Sequence, residues 1–134
     1  MRAPVAGARA RFVALALGTI VVGLVVHRGG LPLPGTARDV VGDALWAMMI
    51  AWWVGAIVPA APAGRRSGAA LGICALVEAS QLYHAPLLDG WRQSVLGHLV
   101  LGSDFDPRDL AAYAAGVLAA WLLERAARPT GTGS

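Results

Sequence analysis

Lysine is absent from this 134-residue chain, and all 11 basic residues are arginine. Charge of either sign is scarce: 14% of residues are charged, against about 25% in a soluble domain. Too few charged groups remain to coat a water-soluble globule. The 57% apolar content excludes disorder over most of the chain, because disorder requires low hydrophobicity and high charge. The single cysteine, Cys74, excludes an internal disulfide framework. Basic runs are missing as well. The longest is Arg65-Arg66, and a net charge of +3 does not make a nucleic-acid binder. No two histidines are spaced i, i+4, and no HExxH, nucleophile elbow, P-loop or dinucleotide fingerprint occurs. No catalytic residue, metal set or cofactor is therefore assigned. With a mean hydropathy of +0.60, the composition leaves one domain of an integral membrane protein.

Four stretches approach the roughly 20 apolar residues that cross a bilayer core of about 30 Å. They run over about 11–26, 40–60, 67–85 and 107–126. Basic residues flank the first span and are expected to snorkel: Arg9, Arg11 and Arg28. A cleavable signal peptide is the other reading of this segment, but HRGGLPLPG comes after it rather than a small-x-small site, so a retained helix is expected. Residues 29–36 form a Gly/Pro-rich loop, Pro59 and Pro62 close the second span, and Pro86 ends or kinks the third. Asp106 can cap the fourth helix, with Pro107 at its first position and Asp109 in its first turn. Residues 91–101 are too short to span and read as an interfacial or re-entrant helix. The expected fold is an all-α bundle of four transmembrane helices plus this short helix. It forms a single domain over 1–128, with 129–134 a disordered tail.

Four spans place both termini on one side. Arg2, Arg9, Arg11, Arg65, Arg66, Arg125 and Arg128 fall on that side, against Arg28, Arg38, Arg92 and Arg108 opposite. The positive-inside rule makes the richer side cytoplasmic. All six aspartates, Asp39, Asp43, Asp89, Asp104, Asp106 and Asp109, then fall on the outer half, as do His27, His84 and His98. Any chemistry faces outward.

Glu78 is the strongest single signal, because an acid within a span normally faces the bundle or a water-filled cavity. Gln81 and His84 come at three-residue steps on its face. The alternative is a carboxyl hydrogen-bonded to neighbouring helices as structural glue. Asp43 lies four residues after Asp39 and three before Trp46, and capping competes with a site role for it. Asp109 shares a face with Tyr113, Gly116 and Ala120, whose small residues permit close helix packing. For Asp106, capping is the simpler reading. Cys74 reads as packing, Gly68 and Gly72 as a GxxxG helix contact, and the five tryptophans as interface belt and core.

The blocks GDALWA at 42–47, LVEASQLYHAPLLDGWR at 76–92 and LGHLVLGSDFDPRDLAAYAAG at 96–116 resemble the small bacterial membrane proteins called domain of unknown function 2809. The resemblance covers nearly all of the chain from the first helix onward. That family looks distantly similar to the VanZ-like proteins. Their glutamate–glutamine pair, arginine, aspartate pair and last-helix glycine would match Glu78 and Gln81, Arg92, Asp106 and Asp109, and Gly116. Tyr113 stands where that pattern has an asparagine. The resemblance implies a bacterial inner-membrane location and, in some VanZ-like members, low-level glycopeptide resistance.

Asp43, Glu78, Gln81, Arg92, Asp106 and Asp109 are accordingly expected to converge on an outward-opening polar cavity, with His84 and Tyr113 secondary. A non-enzymatic role is expected, with the cavity binding an anionic envelope lipid or cell-wall intermediate through Arg92. The alternatives are an intramembrane enzyme using Glu78 or Asp109 as general acid or base, and, more weakly, a small proton-coupled transporter. A homo-oligomer or a partner membrane protein is compatible with each.

Overall fold

The computed structural model describes residues 2–29, 32–80 and 107–127, together with 90 and 93. Four helices account for almost all of them: α1 Arg2–His27, α2 Gly35–Ile57, α3 Ala63–Ser80 and α4 Pro107–Ala127. Three of these, α1 from Val5, α2 and α4, are long and apolar enough to cross a membrane. The expected short helix over 91–101, the third span beyond residue 80 and the tail from 129 lie outside the described residues.

The helix boundaries differ from the sequence expectation in a consistent direction: helices start earlier. Helix α1 begins at Arg2 rather than near residue 11. Pro4 lies in its first turn, where proline is tolerated, and Ala6, Ala8 and Ala10 favour helix in the turns after it. At about 1.5 Å per residue it is about 39 Å long, more than a bilayer core. It stops at Gly29, whose φ of +77° is the left-handed conformation that ends helices. The Gly29 amide donates to the Val26 carbonyl at 3.2 Å. Helix α2 starts at Gly35, directly after Pro34, not near residue 40, and ends at Ile57, short of Pro59. Residues 35 and 36 thus belong to helix rather than loop. Helix α3 starts at Ala63, not Ser67, with the Arg66 amide donating to the Pro62 carbonyl at 3.1 Å. Only α4 begins where expected, at Pro107.

Helix α2 is central and packs against the other three, while α3 and α4 also pack on each other. Its direction opposes α1, because Arg9 Nε near the start of α1 donates to the Ala56 carbonyl at the end of α2, 2.9 Å away. Helices α2 and α4 run parallel. Ala44 meets Gly116 so closely that a Cβ on Gly116 would overlap the Ala44 carbonyl. The small core side chains permit these approaches: Ala16, Ala47, Ala70 and Ala120 are all buried. Gly55 serves Phe12 in the same way, since a Cβ there would lie 2.8 Å from the Phe12 ring. Phe12 stacks on Trp52, with ring centroids 6.1 Å apart. The expected GxxxG contact is not found among the described residues. Gly68 and Gly72 are exposed, with open space where a Cβ would stand. The close helix contacts fall on Gly116 and Gly55 instead.

The earlier start of α3 changes the role of Arg66. Rather than a loop charge, it is a buried helical residue, 6% exposed. Its guanidinium forks onto Glu124 of α4, with Nη1 to Oε2 at 3.1 Å and Nη2 to Oε1 at 2.5 Å. The third nitrogen, Nε, donates to the Ala61 carbonyl at 3.0 Å, and the plane lies 4.9 Å from the Phe12 ring centroid. A bidentate arginine has this geometry and a lysine does not. One end of the bundle is thereby bolted across α1, α3 and α4. The outer faces are apolar: Val21 is 60% exposed and Leu76 is 72% exposed. Such faces suit hydrocarbon rather than water.

Two close contacts set the stability expectations. Gly116→Ala should destabilise the bundle by about 1–3 kcal/mol through overpacking, read as a lower Tm in detergent. Gly18→Ala, with nothing near its Cβ position, should leave Tm unchanged. Glu124→Ala should cost about 3–5 kcal/mol by stranding a buried guanidinium, whereas Arg66→Met combined with Glu124→Leu should recover most of that loss. An unaltered Tm in Glu124→Ala would refute the bolt.

Candidate functional site

The opposite end gathers acids. Helix α3 buries a row at four-residue spacing, Arg66, Ala70, Cys74 and Glu78, one ridge of a helix surface. Glu78 ends this row and is 1% exposed. Its Oε2 accepts a hydrogen bond from Tyr113 Oη of α4 at 2.9 Å. Tyr113 is itself buried, four residues below Asp109 on the face that also carries Gly116 and Ala120. Across from Asp109 stands Asp43 of α2, its carboxyl within side-chain reach. Glu78 and Asp39 also lie near Asp43. The Trp46 ring, one turn beyond Asp43, packs against Tyr113 at 5.3 Å between centroids.

Asp43, Glu78, Asp109 and Tyr113 therefore meet, supplied by three different helices. Gln81, His84, Arg92 and Asp106 lie outside the described residues. Capping no longer explains Asp43: α2 starts at Gly35, so Asp43 lies in its third turn, and neither it nor Asp39 is in the first. Cys74 is buried in the core one turn before Glu78. Among the described residues, no group of three His, Cys, Asp or Glu side chains could hold a metal ion.

Tyr113 matters more than its sequence position suggests. Spacing puts it on the right face, but its pairing with Glu78 spans 35 positions and has no local sequence signal. Trp46 is legible from sequence only as belt or core, although its three-residue distance from Asp43 places the two on one face. Chemically, the cluster is rich in hydrogen-bond acceptors and holds exchangeable protons. It suits hydroxyl or amine donors and proton transfer; an anion would need a cation beside it.

These features define a helical protein with three helices long and apolar enough to cross a membrane and a buried carboxyl cluster at one end of the bundle. The chain belongs to the family described as Protein of unknown function (DUF2809), whose model matches residues 32–117. The match begins after α1, a narrower cover than a resemblance from the first helix onward. It contains the whole carboxyl cluster, whereas Phe12 and Glu124 fall outside it. No solved structure matches the chain.

Tyr113→Phe removes the hydroxyl from a buried carboxyl and should cost about 1–3 kcal/mol of stability. Glu78→Gln keeps an oxygen acceptor for Tyr113 and should cost less. Equal Tm losses in the two variants would contradict the hydrogen bond as drawn.

Proposed function

We propose that this protein is a multi-pass membrane protein of the bacterial envelope that binds the polar head group of an envelope lipid or lipid-linked cell-wall intermediate. The observation that carries the reading is Glu78, 1% exposed and tied to α4 inside a bundle with apolar outer faces. An acid held at such a place is retained at a cost, and function is the default reason. The Asp43–Asp109 pair and Glu78 accept from head-group hydroxyls, and Arg92 holds the anionic group of the ligand. In this reading α3 spans as well, and both termini face the cytoplasm. The row of Arg66 and Glu78 supports that, because these charges lower the hydropathy of α3 yet point into the bundle. Leu71, Ile73 and Leu76 face outward.

A second reading is favoured by the Asp43–Asp109 contact. Two carboxyls held side by side form the kind of pair that can act as acid and base. The protein would then be an intramembrane enzyme acting on the same lipid class. The acids also leave room for proton-coupled transport, though four helices without a repeat offer little machinery for alternating access.

Native mass spectrometry of the purified protein tests the first reading. Wild type should retain one anionic lipid more per protein than Arg92→Ala does, and Glu78→Gln should keep it. Equal retention by wild type and Arg92→Ala would reject the binding role. Loss of function in Glu78→Gln with lipid still bound would favour the enzyme. Reporter fusions at Pro34 and Pro62 read the topology: an outward signal at Pro62 would overturn it.

A further inference from the structure

The end of the bundle opposite the acids has a composition of its own. It is built from the start of α1, the end of α2, the start of α3 and the end of α4, as the Arg9–Ala56 and Arg66–Glu124 contacts require. Among the described residues it carries Arg9, Arg11, Arg65, Arg66 and Arg125 against the single carboxylate Glu124. Glu124 is engaged by the buried Arg66. Arg9, Arg11, Arg65 and Arg125 are all exposed. Three of these are held in place by their surroundings rather than by an acid. The Arg125 guanidinium lies 5.0 Å from the Trp121 ring centroid, and that of Arg11 lies 5.3 Å from the Phe12 centroid. Arg9 is positioned by its bond to the Ala56 carbonyl. Directly beneath this crown are outward-facing apolar side chains, Leu15 on α1 and Leu122 and Leu123 on α4. Among the described residues the acid end is the reverse, with Arg28, Arg38 and Arg108 against Asp39, Asp43, Glu78 and Asp109.

We infer that this arginine crown is a docking surface for anionic phospholipid, with phosphates on the exposed guanidinium groups and acyl chains against the adjoining leucines. Charge complementarity carries the assignment. The guanidinium groups present paired donors that match phosphate oxygens, and the one carboxylate among the described residues there is already occupied. The apolar collar selects a lipid over a soluble anion. Fixing arginines by ring stacking and a backbone carbonyl lowers the entropy lost when a head group binds. The crown is separate from the carboxyl cluster and does not depend on what that cluster binds.

The test compares lipid preference in nanodiscs or by native mass spectrometry, in an Arg92→Ala background that removes the ligand proposed for the acid end, with phosphatidylglycerol and phosphatidylcholine as probes. Basic residues at a membrane surface each contribute about fivefold in anionic lipid affinity. Arg65→Gln with Arg125→Gln should therefore reduce the preference for phosphatidylglycerol by about 25-fold. The Arg66–Glu124 bolt is left in place, so Tm should hold. Arg28→Gln, a like charge change at the other end, should leave the preference intact. An unchanged preference in the double variant, or an equal loss in Arg28→Gln, would overturn the assignment. Displacement of the bound lipid by inorganic phosphate would overturn it too, since the site would then recognise a free anion.

Discussion

The parallel approach of α2 and α4 at Ala44 and Gly116 governs the rest of the molecule. No side chain fits between Gly116 and the Ala44 carbonyl, so the two backbones run in direct contact there. Asp109, seven positions before Gly116, and Asp43, the residue before Ala44, stand at the same end of these two helices. Carboxyl groups reach only a short way from the backbone, and a wider spacing would leave the two aspartates apart. The same approach turns Tyr113 inward to Glu78 and against Trp46. Small residues thus act here as a positioning device for polar ones.

The two ends solve the burial of charge differently. At one, Arg66 and Glu124 neutralise each other with a fork of two hydrogen bonds and a ring face beneath. At the other, acids sit with acids: Asp43 stands across from Asp109, and Glu78 accepts from Tyr113. A closed ion pair is a structural solution because its partners are satisfied by each other. Clustered carboxyls keep acceptor capacity to spare, which is what a ligand or a proton path needs. This contrast is why the acid end is the candidate site and the bolt is not.

The sequence makes the helices legible and their ends much less so. Apolar length finds α1, α2 and α4, and Pro107 marks the start of α4, because proline constrains the backbone locally. Proline misleads elsewhere: Pro34 and Pro62 stand immediately before α2 and α3, so residues that read as loop are helical. Arg66 reads as a loop charge for that reason, and its partner Glu124, 58 positions away, leaves no local trace. Gly68 and Gly72 carry the familiar spacing of a helix contact yet face open space, while Gly116, without such a partner, makes the close approach. Spacing fixes which residues share a face, but not which face a neighbour covers. Asp43, Glu78 and Asp109 can be singled out because acids in apolar helices need a reason. Their mutual contact cannot, because it depends on helices α2, α3 and α4 all turning inward.

Helix α3 shows why hydropathy and placement part company. By composition it is the least apolar of the three family-matched helices, carrying Arg65, Arg66 and Glu78 in 18 residues. Two of those charges terminate the buried row that contains Ala70 and Cys74, and each meets α4, one through an ion pair and one through a phenol. Twelve residues separate them, about 18 Å along the axis. A helix pinned to its neighbour by polar contacts at both ends, with small residues between, cannot rotate without breaking one of them. Its face is therefore set by its charges rather than by its leucines. Glu78 stays aimed into the bundle for the same reason that Arg66 does, and the structural bolt at one end orients the candidate site at the other.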